Sequence, residues 1–392
     1  MDRRAGMTLV LDQHDPIQLG ERLRTARSDA GMTQEEAAAA LNLARTTLLA
    51  IEKGQRRVRN DELESFVRVY GVSVNALFRR SVVHVDLVPR FRAMPGTASD
   101  GSLAAAKLLN DLAAAEVELE KLTGRRLRKD YPAERPLSSG DLRDQAEDMA
   151  GEMRHRLGLG LAPIVDIVSL LEMELGVRVF IRPLAGKISG LFVFDEQIGA
   201  CMLLNQLHPR ERRAITAGHE FGHLLTARHE PDVVELGQRG RSRLEKFATL
   251  FALAFMMPAV VVRARFREYK QETGRFSARH LILMAHALHV SHEAMCRRLE
   301  DLKLLPEGTW EKLRSEGFSG KLRDEVLGDR RRDDELAVPS RLWMLASEAH
   351  RQDLMTEGQL AELLRMERTE IRRLLDTLES GDDHDLEAIT LE

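Results

Sequence analysis

Cysteine is nearly absent. Two in 392 residues, Cys201 and Cys296, exclude a disulfide framework and suit a reducing compartment. Aromatic residues amount to 5%, which leaves few of the ring side chains that favour strands and points to helices. No long apolar run is present. The longest, Phe247 to Val262, is interrupted by Thr249 and Pro258 and falls short of the ~20 residues a spanning helix needs. It reads as a core helix, and no membrane partner is expected. The first fifteen residues carry Arg3 and Arg4 but no apolar stretch, so a secretory signal is not expected and the protein reads as cytoplasmic. Neither charge dominates: 58 Lys and Arg oppose 62 Asp and Glu, net −4. Whole-chain charge therefore does not mark a nucleic-acid binder. No fixed-period repeat is visible.

Apolar residues at 43% suffice for real cores, and the length suggests two or three domains at ~150 residues each. Five segments are expected: a helical bundle at 17–80, a helical connector at 81–140, an α+β domain at 141–270, a helical domain at 271–380 and a disordered tail at 381–392. Short β-rich runs occur at 177–181, 190–194 and 200–205, between long stretches of helical periodicity. The charge run 329–335 reads as a linker.

Residues 17–80 hold 11 Lys and Arg against 8 Asp and Glu, a local excess of positive charge. Thr33 and Glu36 have capping-box spacing. Asn42 and Leu43 make a turn, and a second helix starting near Arg45 ends at Gly54. Leu23, Ala37, Leu41, Leu48, Ile51, Leu63, Phe66 and Leu77 supply a core. Two short helices in this arrangement place the second in the major groove of double-stranded DNA. Arg45, Thr46 and Thr47 stand where base edges are met, Gln34 where an amide grips a phosphate, and Lys53, Gln55, Arg56 and Arg57 form a basic rim. The segment resembles the XRE/Cro-type helix-turn-helix family through TQEE…AIEKG, with departures at Ala44, Leu49 and Ala50. That family usually binds as pairs, which implies a homodimer. The competing reading is a bundle used for protein contacts.

Residues 219–223 read His-Glu-Phe-Gly-His. Positions i and i+4 share a helix face, so His219 and His223 can hold one Zn2+, with Glu220 beside them as proton acceptor. Downstream, Glu245 shares a face with Ala248, Thr249 and Ala252, small enough for this helix to approach the histidines and complete a His2Glu site. Phe247, Leu250, Phe251, Ala254 and Phe255 form the opposite, core face. A decoy cluster, His286, His289, His292 and Cys296, is split by Ser291, which suits a helix cap.

RRAITAGHEFGHLL followed by ExxAxxFAxxFMMP is similar to the ImmA/IrrE family of zinc metallo-endopeptidases, including members fused to a helix-turn-helix. The resemblance implies a mostly α protein: an N-terminal DNA-binding bundle, a zincin-like α+β domain with a small sheet, and a C-terminal helical extension. It implies His219, His223 and Glu245 as zinc ligands and Glu220 as catalytic base. It also implies a regulatory-protein substrate, typically a helix-turn-helix repressor. Gly218 and Thr249 depart from the family's usual Ala and Asn, the latter expected to weaken a hydrogen bond to a ligand. Strand pieces 190–194 and 200–205 are expected to offer an edge to an extended substrate. The rival reading is a DNA-binding regulator whose zinc domain senses a signal without cutting. Residues 356–373 resemble a second helix-turn-helix in shape only, with Thr356 as cap, Leu360, Ala361, Leu364 and Ile371 inward, and Arg365, Arg368, Arg372 and Arg373 outward.

Overall fold

The computed structural model describes residues 16–72, 100–184, 187–235, 242–318, 320–327 and 340–382, with the single residues 74, 77 and 87. The expected linker at 329–335 and the tail from 383 onward lie outside the described residues, as do residues 88–99. The chain divides into two compact units, residues 1–82 and 83–392.

In the first unit, α1 (Pro16–Asp29), α2 (Gln34–Ala40), α3 (Arg45–Glu52) and α4 (Asn60–Tyr70) enclose a core of Leu23, Ala37, Leu41, Leu48, Ile51, Leu63, Phe66 and Leu77. Thr33 caps α2: its hydroxyl accepts from the Glu36 N–H, and the Glu36 carboxylate accepts from the Thr33 N–H at 2.8 Å, satisfying two orphan donors at once. Asn42 turns the chain in a left-handed conformation, φ 54°, which Asn tolerates better than most side chains. Ala44 precedes α3 without a side-chain cap, as a methyl group must. Gly54 ends α3 at φ 68°; a Cβ there would stand 2.5 Å from the Ile17 Cα, so only glycine fits. Buried Glu52 ties three helices together, accepting from Arg27 Nε at 2.6 Å and Gln34 Nε2 at 2.8 Å.

The larger unit is built on a four-stranded sheet of order β1–β3–β2–β4, comprising β1 (Arg178–Arg182), β2 (Ile188–Asp195), β3 (Gly199–Asn205) and β4 (Asp232–Glu235). β1 runs parallel to β3; β2 runs antiparallel to β3 and β4. The first three strands are buried on both faces, and so read as unbroken apolar runs rather than alternating ones. Strand alternation distributes their side chains between two cores. Val179, Ile181, Phe192, Phe194, Met202 and Leu204 join α6 (Leu142–Arg156), α7 (Ile167–Leu175), α8 (Arg210–Thr226) and α9 (Arg243–Met256). Phe180, Leu191, Val193, Cys201 and Leu203 join α5 (Asp100–Thr123) and three C-terminal helices.

Two expectations need correction here. The three β-rich runs are not all the strands: β4 (Asp232–Glu235) interrupts the helical stretch that follows them, too short to register as a strand pattern. Nor do residues 200–205 offer an edge. β3 lies inside the sheet, and β2 from Gly190 to Phe192 is flanked by β3 and β4. Their backbone groups are therefore already committed to ladders, and among the described residues the outer strands are β1 and β4.

The apolar run after Phe247 forms α9, buried as expected, and Pro258 breaks it from α10 (Ala259–Thr273) with a bend of 62°. Among the described residues no single helix is long and apolar enough to cross a membrane. The chain continues through α11 (Ala278–Ala287), α12 (His292–Asp301), α13 (Thr309–Ser315) and α14 (Gly320–Leu327). α15 (Ser340–Arg351), α16 (Glu357–Leu364) and α17 (Arg368–Asp382) then close the second core, with Trp343 buried at its centre. A buried ion cluster pins this layer. Arg178 of β1 bonds Glu116 at 2.6 Å and Glu120 at 2.8 Å on α5, and Arg341 of α15 reaches Glu120 at 2.6 Å.

Candidate functional site

α8 and α9 cross with almost no side chain between them. A Cβ on Gly222 would stand 3.0 Å from the Ala248 Cα, and one on Gly218 would stand 3.2 Å from the Ala252 Cβ. The small face expected around Glu245 is the contact itself, and glycines on the partner helix complete it. Gly218 accordingly occupies a position where the usual alanine would be tight. The opposite face of α9 stacks Phe247, Phe251 and Phe255, with Phe221 of α8 edge-on to the latter two.

This crossing places Glu245 against the two histidines. His219 and His223 Nε2 atoms lie 3.1 Å apart, Glu245 Oε2 is 3.4 Å from His219 Nε2, and Glu245 Oε1 is 3.1 Å from His223 Nε2. Tetrahedral coordination with bonds of about 2.1 Å sets ligand atoms about 3.4 Å apart, so the triangle has the size of a His2Glu metal site. Among the described residues this trio alone groups three His, Cys, Asp or Glu side chains closely enough to hold an ion. Both histidines are buried and Glu245 is half-buried. Burial opposes ionisation of the Glu245 carboxyl, but the two imidazoles outweigh it and hold the group well below the usual carboxylate range.

Thr249 adds a bond the sequence did not announce as favourable. Its hydroxyl donates to Glu245 O one turn back at 3.0 Å and meets His219 Nδ1 at 3.3 Å. With its proton on that carbonyl, the hydroxyl accepts Nδ1–H, leaving the His219 Nε2 lone pair toward the trio. Glu220, next to His219 on α8, is fully buried.

The remaining reactive side chains fall elsewhere. Burial pushes the Cys201 and Cys296 thiols up to about 12, which disqualifies both as nucleophiles at neutral pH. Ser291 caps α12 by accepting from the Ala294 N–H, so His286 on α11, His289 in the turn and buried Cys296 on α12 do not converge. Arg228 is engaged with the Pro132 carbonyl at 2.6 Å, and His229 is exposed on the edge of Phe194.

In the first unit, Arg45 and Thr46 are exposed and Thr47 half-buried on the first turn of α3; Lys53, Gln55 and Arg57 are exposed beyond its end. Two expected contacts also serve the bundle. Gln34 donates to Glu52, and Arg56 pairs with Glu62 through both guanidinium nitrogens at 2.8 and 3.0 Å. Sequence spacing had no means of revealing those partners.

Residues 18–78 match the family model of a helix-turn-helix domain, and residues 172–300 match that of the IrrE N-terminal-like domain of the M78 peptidases. The chain thus joins a helix-turn-helix domain to an IrrE-like domain of a metallopeptidase family. No curated protein matches the sequence. Among solved structures, the crystal structure of ComR from Streptococcus suis aligns with 94% of this chain and 96% of its own at 10% identity. Its TM-score of 0.16 carries no argument.

Proposed function

We propose that this protein is a cytoplasmic zinc-dependent endopeptidase that regulates transcription by cutting a regulatory protein, with a repressor carrying its own helix-turn-helix as the substrate class. The observation that supports this reading is the trio of His219, His223 and Glu245, spaced 3.1 to 3.4 Å apart on two helices that pack backbone to backbone at the Gly222–Ala248 contact. The donor set, two imidazoles and one carboxylate, is that of catalytic zinc sites with one position left for water. A zinc ion held by His219, His223 and Glu245 would supply Lewis acidity toward the scissile carbonyl and toward water. Thr249 holds the His219 tautomer. Glu220 takes the proton from water as its oxygen adds to the carbonyl carbon, and returns it to the amide nitrogen as the C–N bond breaks. Arg45, Thr46 and Thr47 read base edges in double-stranded DNA, and Lys53, Gln55 and Arg57 hold phosphates, with two chains pairing on a two-fold site.

The test compares wild type with Glu220→Gln. Both should hold about one zinc per chain. New protein amino termini, mapped by mass spectrometry in cells expressing each form, should appear in a DNA-binding regulator with wild type alone. Zinc without new termini would replace proteolysis by signal sensing, and wild type without zinc would end both readings.

A further inference from the structure

The three C-terminal helices repeat the helix-turn-helix of the first unit residue for residue at one constant offset. Thr33 and Thr356 each cap a helix through a capping box, with Glu36 and Gln359 as partners. Asn42 and Arg365 each turn the chain in the left-handed region, φ 54° and 55°. Leu43 N–H bonds the Ala38 carbonyl at 2.9 Å, and Met366 N–H bonds the Ala361 carbonyl at 2.9 Å. The second helices start at Arg45 and Arg368, each followed by threonine. Buried positions coincide through all three helices: Leu19 with Leu342, Leu23 with Ala346, Ala26 with Ala349, Ala37 with Leu360, Leu41 with Leu364, Leu48 with Ile371, and Ile51 with Leu374.

The correspondence is informative where the two copies differ. Leu49 and Ala50 occupy positions of α3 where a DNA reader carries polar side chains, and their counterparts on α17 are Arg372 and Arg373. Arg368, Thr369, Arg372 and Arg373 are all exposed, a basic face over the first two turns. Arg368 and Arg372 pair with Glu357 at 3.3 and 2.8 Å; ion pairs this exposed are weak, being solvent-screened, and yield readily to phosphate. The turn alone is not the criterion. α11 and α12 share it, with His289 at φ 53°, but α12 buries Ala294, Met295, Arg298 and Leu299.

We propose that α15–α17 form a second DNA-binding module, with α17 entering the major groove of duplex DNA through Arg368, Thr369, Arg372 and Arg373. The proposal does not rest on the peptidase reading. A chain with two such modules contacts two stretches of duplex.

The test measures binding of the full chain to a fluorescein-labelled mixed-sequence 30-base-pair duplex by anisotropy across a salt series. Three variants are compared with wild type: Arg45→Ala with Lys53→Ala and Arg57→Ala; Arg368→Ala with Arg372→Ala and Arg373→Ala; and, as a charge control, Arg263→Ala with Arg265→Ala, both exposed on α10. The α17 variant should bind about tenfold or more weakly, and its log–log salt slope should be smaller by about 3. The charge control should bind as wild type, and circular dichroism should show all variants folded. An α17 variant with unchanged affinity and slope, or a control that loses as much, overturns the proposal and leaves the face to a protein partner. Loss in the α3 variant alone would overturn it while sparing the DNA-binding reading of the first unit. Loss in the α17 variant alone would do the reverse.

Discussion

Thr249 shows how much a single hydroxyl decides at the metal trio. It holds His219 Nδ1 from one side while bonding its own helix on the other, so removing it frees the imidazole to rotate or change tautomer. Thr249→Val should leave the fold intact and weaken zinc binding about tenfold, measured by competition with a chromogenic chelator; Thr249→Ser should retain wild-type affinity. Gly222 is as decisive by having no side chain. Gly222→Val forces α8 and α9 apart against Ala248, where overpacking costs about 1–3 kcal/mol. Denaturant melts should register that loss, and metal content should fall with it because the ligands come from both helices. A Gly222→Val chain with normal stability and one zinc would show that the crossing can relax.

At the scale of elements, caps and ion pairs set where helices begin and how they lean on each other. Glu62, at the start of α4, accepts from Arg56 and from the Arg59 N–H. Burial raises its carboxyl, but those bonds outweigh burial and leave the group below its ordinary value. A depressed carboxyl stabilises the fold fully above the unfolded-state value, and that contribution disappears as pH falls through the folded-state value. The first unit should therefore lose stability on acidification below about pH 4, and Glu62→Gln should be less stable at neutral pH but flatter in acid. Urea melts of the full chain, read by proteolysis and mass spectrometry of residues 16–72, check this. Equal slopes for both forms would remove Glu62 from the account.

Across the whole molecule, the sheet of the larger unit separates two cores with different duties. One side carries α8 and α9 with the metal trio; the other carries α5 and α15–α17, held by Trp343 and the cluster around Arg178. Trp343→Ala should cost the larger unit about 3–5 kcal/mol, seen in thermal or denaturant melts. Hydrogen exchange within residues 16–72 should not change, because that unit has its own core. Parallel loss of protection in both units would show that their stabilities are coupled.

What local spacing controls was legible along the chain. Two histidines four apart share a helix face, Glu245 heads a face of small residues, and Thr33, Thr356 and Ser291 announce caps because hydroxyls there satisfy backbone donors. These rules act over a turn or two of chain. Tertiary structure decided everything that depended on a distant partner: the order β1–β3–β2–β4 that encloses β3, the short strand β4, and the engagement of Gln34 by Glu52 and Arg56 by Glu62. The likeness of the two helix-turn-helix copies falls between the two. The cap at Thr356 and the spacing through residue 373 already resembled such a motif, but the match of buried positions and backbone conformation through all three helices is displayed by the folded chain.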